Sequence, residues 1–215
     1  MNKRYFVIFF IFFTTLFIFG NFLIEEEIYY NGDKSVFQGK KKFFYDENNN
    51  ITSIKTYNSD NIEESKTEYI YEEDALITAI DYNGKTKIKY SEFLYSSKRL
   101  VKKIEFDVNG KILLIHNYNY EQEKISRIEN YSTENIFLGK KEFVYENNRL
   151  TEELQYDEKG LIFILKKFIY KNGSIDSIEF YLKQKSLIRI IEKKYSQKKI
   201  ELNSFGYKNN FFDIK

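Results

Sequence analysis

Seven tyrosines, Tyr45, Tyr71, Tyr95, Tyr120, Tyr145, Tyr170 and Tyr195, follow one another at intervals of 26, 24, 25, 25, 25 and 25 residues. A fixed period of this length is the signature of a chain built by stacking one supersecondary unit on the next. Two positions before the tyrosine stands another aromatic in six units (Phe43, Tyr69, Phe93, Tyr118, Phe143, Phe168), and Lys193 breaks the pattern in the seventh. A polar segment follows each tyrosine, such as Glu146-Asn147-Asn148-Arg149, and then two aliphatic residues and an aromatic, as in Leu150, Leu154 and Tyr156. Asn83-Gly84, Asp107-Val108-Asn109-Gly110 and Asp157-Glu158-Lys159-Gly160 supply a second turn signal per unit.

Two turns in 25 residues leave two extended runs of about eight residues, the length of strands and too short for globular helices. Each unit therefore reads as an antiparallel β-hairpin. Leu150, Leu154 and Tyr156 alternate with polar neighbours, which predicts one apolar face. In two units the parity fails, because Ile128 and Ile178 fall opposite Tyr131 and Tyr181, and a bulge or a second covered face would account for it. The chain has 19 Tyr, 21 Phe and no Pro, which suits a sheet that needs its backbone N–H groups for pairing. The expectation is an all-β array of seven hairpins, about 14 strands, forming a curled or twisted meander sheet. Lys193, with Lys198-Lys199, would cap its last edge, and open edges would allow edge-to-edge self-association.

The first 24 residues differ. Lys3 and Arg4 precede an uncharged run from Tyr5 to Ile24, followed by Glu25-Glu26-Glu27. This reads as an apolar N-terminal helix acting either as an export signal or as an uncleaved membrane anchor through residues 5–24. The remaining chain, 25–215, reads as a single β-repeat domain exported to the periplasm, cell surface or medium.

Chemistry is sparse. There is no cysteine, so no lipobox, disulfide or thiolate metal site. His116 is the only histidine, shares the parity of Tyr118 and Tyr120, and reads as a packed imidazole rather than a base or ligand. Glu63-Glu64, Glu72-Glu73 and Glu152-Glu153 lie near lysines and do not single out a glycosidase-like pair. No nucleotide-binding glycine motif occurs, and 34 basic against 32 acidic residues argue for a solvated surface rather than nucleic-acid binding. No catalytic, cofactor-binding or metal residues are assigned; the seven tyrosines are assigned as the structural repeat core, with Tyr95, Tyr120, Tyr145 and Tyr170 in one buried row.

Phe143 to Gly160 and Phe93 to Gly110, with the pairs Tyr45-Asp46 and Tyr156-Asp157, resemble the tyrosine-aspartate (YD) repeats of RHS-type bacterial proteins. MORN-type repeats are a more distant comparison. The resemblance covers roughly Phe43 to Phe205 and implies the hairpin array, not an activity. The leading expectation is a non-enzymatic exported protein offering an extended β surface to a protein or glycan at the cell envelope. An accessory of a secreted toxin system and a small outer-membrane β-barrel are the alternatives.

Overall fold

The computed structural model describes residues 22–73, 75–182 and 186–199. The strands in chain order are β1 (Phe22–Asn31), β2 (Phe37–Tyr45), β3 (Ile51–Asn58), β4 (Glu63–Glu72), β5 (Ala75–Asn83), β6 (Thr86–Ser96) and β7 (Arg99–Asp107). They continue with β8 (Ile112–Glu121), β9 (Lys124–Tyr131), β10 (Phe137–Glu146), β11 (Arg149–Tyr156), β12 (Ile162–Lys171), β13 (Ser174–Leu182) and β14 (Ser186–Lys199). Each pairs antiparallel with its chain neighbours, and β14 also pairs with β1, so the sheet closes into a barrel.

Closure corrects the expected curled meander sheet: the described strands have no free edge. Lys193 is not an edge cap. It is buried opposite Glu27 in the β1–β14 ladder and forms an ion pair with it. A second correction concerns the apolar helix expected up to Ile24. Residues 22–24 belong to β1, Ile24 is buried in the core, and its carbonyl accepts a hydrogen bond from Tyr45. The remainder of that segment lies outside the described residues.

The two ends of the barrel use different turns. At one rim, two-residue turns place both central residues at positive φ: Ser97 and Lys98 (48° and 67°), Asn147 and Asn148 (48° and 69°), and Asn172 and Gly173 (51° and 84°). That mirror-image turn matches the twist of the flanking strands. At the other rim the loops are longer. The side chains of Asn58, Asp107, Ser132 and Asp157 each accept backbone N–H bonds from residues two and four further on.

Next to each short turn the register slips by one residue. Tyr145 faces Leu150, but Val144 faces Glu152, leaving Thr151 as the extra residue; the other hairpins with an anchor tyrosine before the turn repeat this. A bulge reverses which face the rest of the strand presents. Ile125 and Ile128, three apart, therefore both point inward, as do Ile175 and Ile178, which answers the parity failure. The same shift corrects the expected apolar face elsewhere. Leu150 is inside, but Leu154 and Tyr156 turn outward while Glu153 and Gln155 are buried.

The inward aromatics Phe43, Tyr69, Phe93, Tyr118, Phe143 and Phe168 are buried and form one continuous cluster with the inward aliphatics. The seven anchor tyrosines lie against this cluster, half-buried rather than fully enclosed. Each phenol donates to a carbonyl of the preceding unit: Tyr45 to Ile24 (2.7 Å), Tyr71 to Ile51 (3.1 Å), Tyr95 to Leu76 (3.1 Å) and Tyr120 to Leu100 (2.9 Å). Tyr145 to Ile125 (3.0 Å), Tyr170 to Leu150 (2.9 Å) and Tyr195 to Ile175 (2.6 Å) complete the ring.

Replacing Tyr145 by Phe keeps the ring and leaves the Ile125 carbonyl without its donor. The expected loss is about 1–2 kcal/mol, read as a lower urea midpoint with an unchanged m-value. An unchanged midpoint would mean that the phenol adds nothing to stability.

Candidate functional site

Beyond the bulges, the inward face carries polar side chains in place of aliphatics. The position four before the anchor tyrosine holds Lys41, Thr67, Ser91, His116, Lys141 and Lys166. Facing them from the odd-numbered strands are Asp81, Lys103, Glu105, Asn130, Glu153 and Gln155, and at the seam Glu27. Lys41, Lys103 and Lys166 rank among the largest fully buried side chains. Buried charge requires close partners, since an unpaired ammonium inside a protein loses its hydration without return.

Those partners come from adjacent strands. Lys166 Nζ lies 2.6 Å from Glu153 Oε1, and the two residues face each other across β11 and β12. Gln155 donates to the same carboxylate. On the β4–β5 ladder Thr67 donates to Asp81 (2.6 Å). At the seam Lys193 and Tyr29 both bind Glu27.

The densest group joins β5 to β9. Lys103 pairs with Glu105, which also takes Lys89 at 2.7 Å and lies 3.0 Å from His116 Nε2. His116 Nδ1 is 2.7 Å from the Asn130 side-chain amide. Burial lowers the His116 pKa to about 4, although the Glu105 carboxylate pulls the other way. A neutral ring then donates from Nε2 to Glu105 and is matched at Nδ1 once the amide presents its NH2 group. Burial likewise lowers the Lys103 ammonium to about 8 against the pull of Glu105. For Glu105, burial acts to raise the pKa, but His116 and Lys103 outweigh it and hold the carboxyl well below its ordinary range.

This constellation has the chemistry of a structural network. Its acids, amines and imidazole are matched to one another, and among the described residues no three His, Cys, Asp or Glu side chains gather as a metal site. His116 takes the packed position the sequence suggests, with a carboxylate neighbour that sequence did not reveal. Of the acidic pairs, Glu153 is buried while its neighbour Glu152 lies outside against Lys167. The buried lysines were missed because they read as solvated. The signal for Lys41 and Lys166 is their parity with the aromatic and the tyrosine two and four residues on, and for Lys103 it is the bulge betrayed by the three-residue spacing of Ile125 and Ile128.

No protein-family model matches the chain, and no curated protein matches it. Solved structures do. A porin-like protein from Bacteroides uniformis ATCC 8492 is similar at a TM-score of 0.50 and 11% identity, over 80% of this chain and 96% of that one. A porin-like protein from Bacteroides vulgatus ATCC 8482 matches at a TM-score of 0.42 and 11% identity, over 81% and 98%. The TcdB2-TccC3 structure matches at 0.32 and 10% identity, over 77% of this chain and 12% of that one. The first of these shows a shared barrel fold; the other two likenesses are too slight to build on. The YD-repeat comparison keeps its hairpin unit only loosely, and the closed barrel points away from an RHS-type assembly.

Two measurements probe the buried network. Because His116 titrates near 4 in the folded state and near 6.5 unfolded, the unfolded chain binds the extra proton between those values. Stability attributable to this ring is therefore full above pH 6.5 and falls by about 3 kcal/mol as pH drops to 4. In His116→Gln that part of the pH slope disappears from urea midpoints; an identical slope in both proteins would refute the assignment. For the Lys166–Glu153 pair, Glu153→Leu alone is expected to cost about 3–5 kcal/mol, and adding Lys166→Met to recover most of it. Additive losses in the double variant would show that the pair is not coupled.

Proposed function

We propose that this chain is an exported, non-enzymatic small β-barrel of the cell envelope, standing against a membrane and binding an envelope protein or glycan there. The closed wall and the fold shared with a porin-like protein support the small outer-membrane β-barrel alternative over an extended open β surface, and the peripheral placement is a departure from that alternative argued from the wall itself. The uncharged N-terminal run supports export. With residues 22–24 committed to β1, the uncharged stretch left for an export segment, Tyr5 to Asn21, is 17 residues and ends on a polar side chain. A spanning helix needs about 20, so a cleaved signal is favoured over a permanent anchor.

What supports a wall beside the bilayer rather than across it is the charge on its outer face. Lys66 and Glu68, Arg127 and Glu129, Lys140 and Glu142, and Lys167 and Glu152 form outward ion pairs well inside their strands. A lysine or arginine facing lipid at the bilayer midplane costs about 2–4 kcal/mol, and a spanning barrel carries an unbroken outer apolar band about 25 Å tall. Here the most exposed apolar side chains lie towards the rims, Phe44, Ile70, Leu94, Val144 and Ile169 near one and Ile88, Leu113, Leu138 and Ile188 near the other, while the middle of the wall mixes these ion pairs with the outward Ile104, Ile115, Leu154 and Leu165 instead of an unbroken apolar band.

Fractionation of a producing bacterium tests this. The mature protein is expected outside the cytoplasm, beginning at or before Phe22, and released from membranes by alkaline carbonate without detergent. Retention in carbonate-washed membranes until detergent is added would overturn the peripheral placement, and confinement to the cytoplasm would overturn export.

A further inference from the structure

The barrel is not equivalent all the way round at the rim with the longer loops. Two neighbouring hairpin tips there differ from the other described tips: the turn between β5 and β6, carrying Gly84 and Lys85, and the loop between β7 and β8, from Val108 to Lys111. Since β6 and β7 are paired, these tips lie side by side, about 10 Å apart at ordinary strand spacing. Lys85, Lys87 and Lys111 are exposed on them. The one carboxylate within these tips, on Asp107, is bound by the backbone N–H groups of Asn109 and Lys111. Other tips at this rim carry exposed acids instead: Asp33, Asp60, Glu134 and Glu158.

Apolar surface accompanies the lysines. Val108 is 50% exposed at its tip, and the bulge residues Ile88 and Leu113 are 47% and 46% exposed just below. Between them Tyr90 and Phe106 stack with ring centroids 4.8 Å apart, and Lys87 Nζ sits 4.5 Å from the Tyr90 ring. Aliphatic tips, an aromatic pair beneath them and lysines free to reach outward are the composition that settles at the boundary between acyl chains and headgroups. The wall below sets a depth limit, because Glu92, two residues beyond Tyr90 on β6, is exposed.

We propose that the β5–β6 and β7–β8 tips form a docking site for an anionic lipid surface, the lysines pairing with headgroup phosphates while Val108, Ile88 and Leu113 enter the interface. Charge complementarity commits the patch to this occupant: three exposed lysines, against the single exposed carboxylate of Glu64 at the edge of the β5–β6 turn, leave a net positive patch that would repel a second copy of itself and attract anionic headgroups. The proposal deepens the envelope reading and rests on it for which membrane is met. Because it is measured with purified barrel, its failure is separate from a failure of export.

The test is vesicle co-sedimentation with phosphatidylglycerol and phosphatidylcholine mixtures against phosphatidylcholine alone. Expected are binding that needs phosphatidylglycerol and roughly a hundredfold weakening in Lys85→Gln/Lys87→Gln/Lys111→Gln, with circular dichroism unchanged. The chain has no tryptophan, so Val108→Trp provides a single reporter, and Leu161→Trp on the distant β11–β12 tip of the same rim provides its control. A blue shift on anionic vesicles for the first and none for the second supports the site. Binding indifferent to phosphatidylglycerol, equal shifts for both reporters, or a lipid-free dimer that shields Trp at position 108 would overturn it.

Discussion

Everything regular in this barrel depends on the phenol-to-carbonyl bond that each unit makes to the one before it. Between successive units the backbone ladder runs out before the short-turn rim: β9 and β10 pair from Tyr131 and Phe137 as far as Arg127 and Glu142 and no further. The Ile125 carbonyl lies beyond that point and would be left without a ladder partner. Tyr145, three residues past the last pair on β10, supplies its hydroxyl instead. Burial raises the Tyr145 pKa beyond the ordinary phenol range, so the group remains a donor at every physiological pH. Phenylalanine fills the same space without the proton. The need for one such donor per unit is why the tyrosine keeps its interval while its neighbours vary.

The bulge beside each short turn is the other half of that arrangement, and it determines what lies inside. An extra residue on one strand increases local twist and curvature, which a sheet of hairpins needs in order to return to its own first strand. It also reverses the facing of the remaining strand, so Glu153 and Lys103 occupy the inner layer that Ile54, Ile128 and Ile178 fill in other units. Charges placed there discriminate between registers. A one-residue slip between β11 and β12 would carry Glu153 and Lys166 to different faces and leave each without the other. The seam applies the same logic to closure. An edge of β14 that met an even-numbered strand of another chain would set Lys193 against Phe or Tyr rather than Glu27, burying an unpaired ammonium at a cost of several kcal/mol.

What the sequence makes legible is whatever is encoded within about a dozen residues. Hairpins, turn tips and the number of strands follow from Asn147-Asn148, Asp157-Glu158-Lys159-Gly160 and the aromatic spacing, because turn chemistry is local. Closure is not local: Glu27 and Lys193 stand 166 residues apart, and nothing in either residue's neighbourhood announces the other. The facing of β11 was misread for a different reason. A bulge is a backbone event with no residue type of its own, so Leu150, Leu154 and Tyr156 look like one face although the chain shifts between the first and the second. His116 was placed correctly because β8 is an even-numbered strand, where the parity leading to the anchor tyrosine is unbroken.

The division between a constrained inside and a freer outside bears on where recognition can reside. Inward positions are tied to cross-strand partners, and a change there is paid in stability. The outward bulge positions at the long-loop rim differ round the circumference: Gln38 and Glu64 on β2 and β4, then Ile88, Leu113, Leu138, Phe163 and Ile188 on β6 to β14. A repeat array that conserved only its stacking rules would make a barrel with equivalent sides. This one is polar at the bulges of β2 and β4 and apolar at those of β6 to β14, so its sides are not equivalent. Closure is what makes that possible, since a flat sheet bearing the same residues would present them in one plane, whereas the barrel turns them to face different directions from a rigid wall.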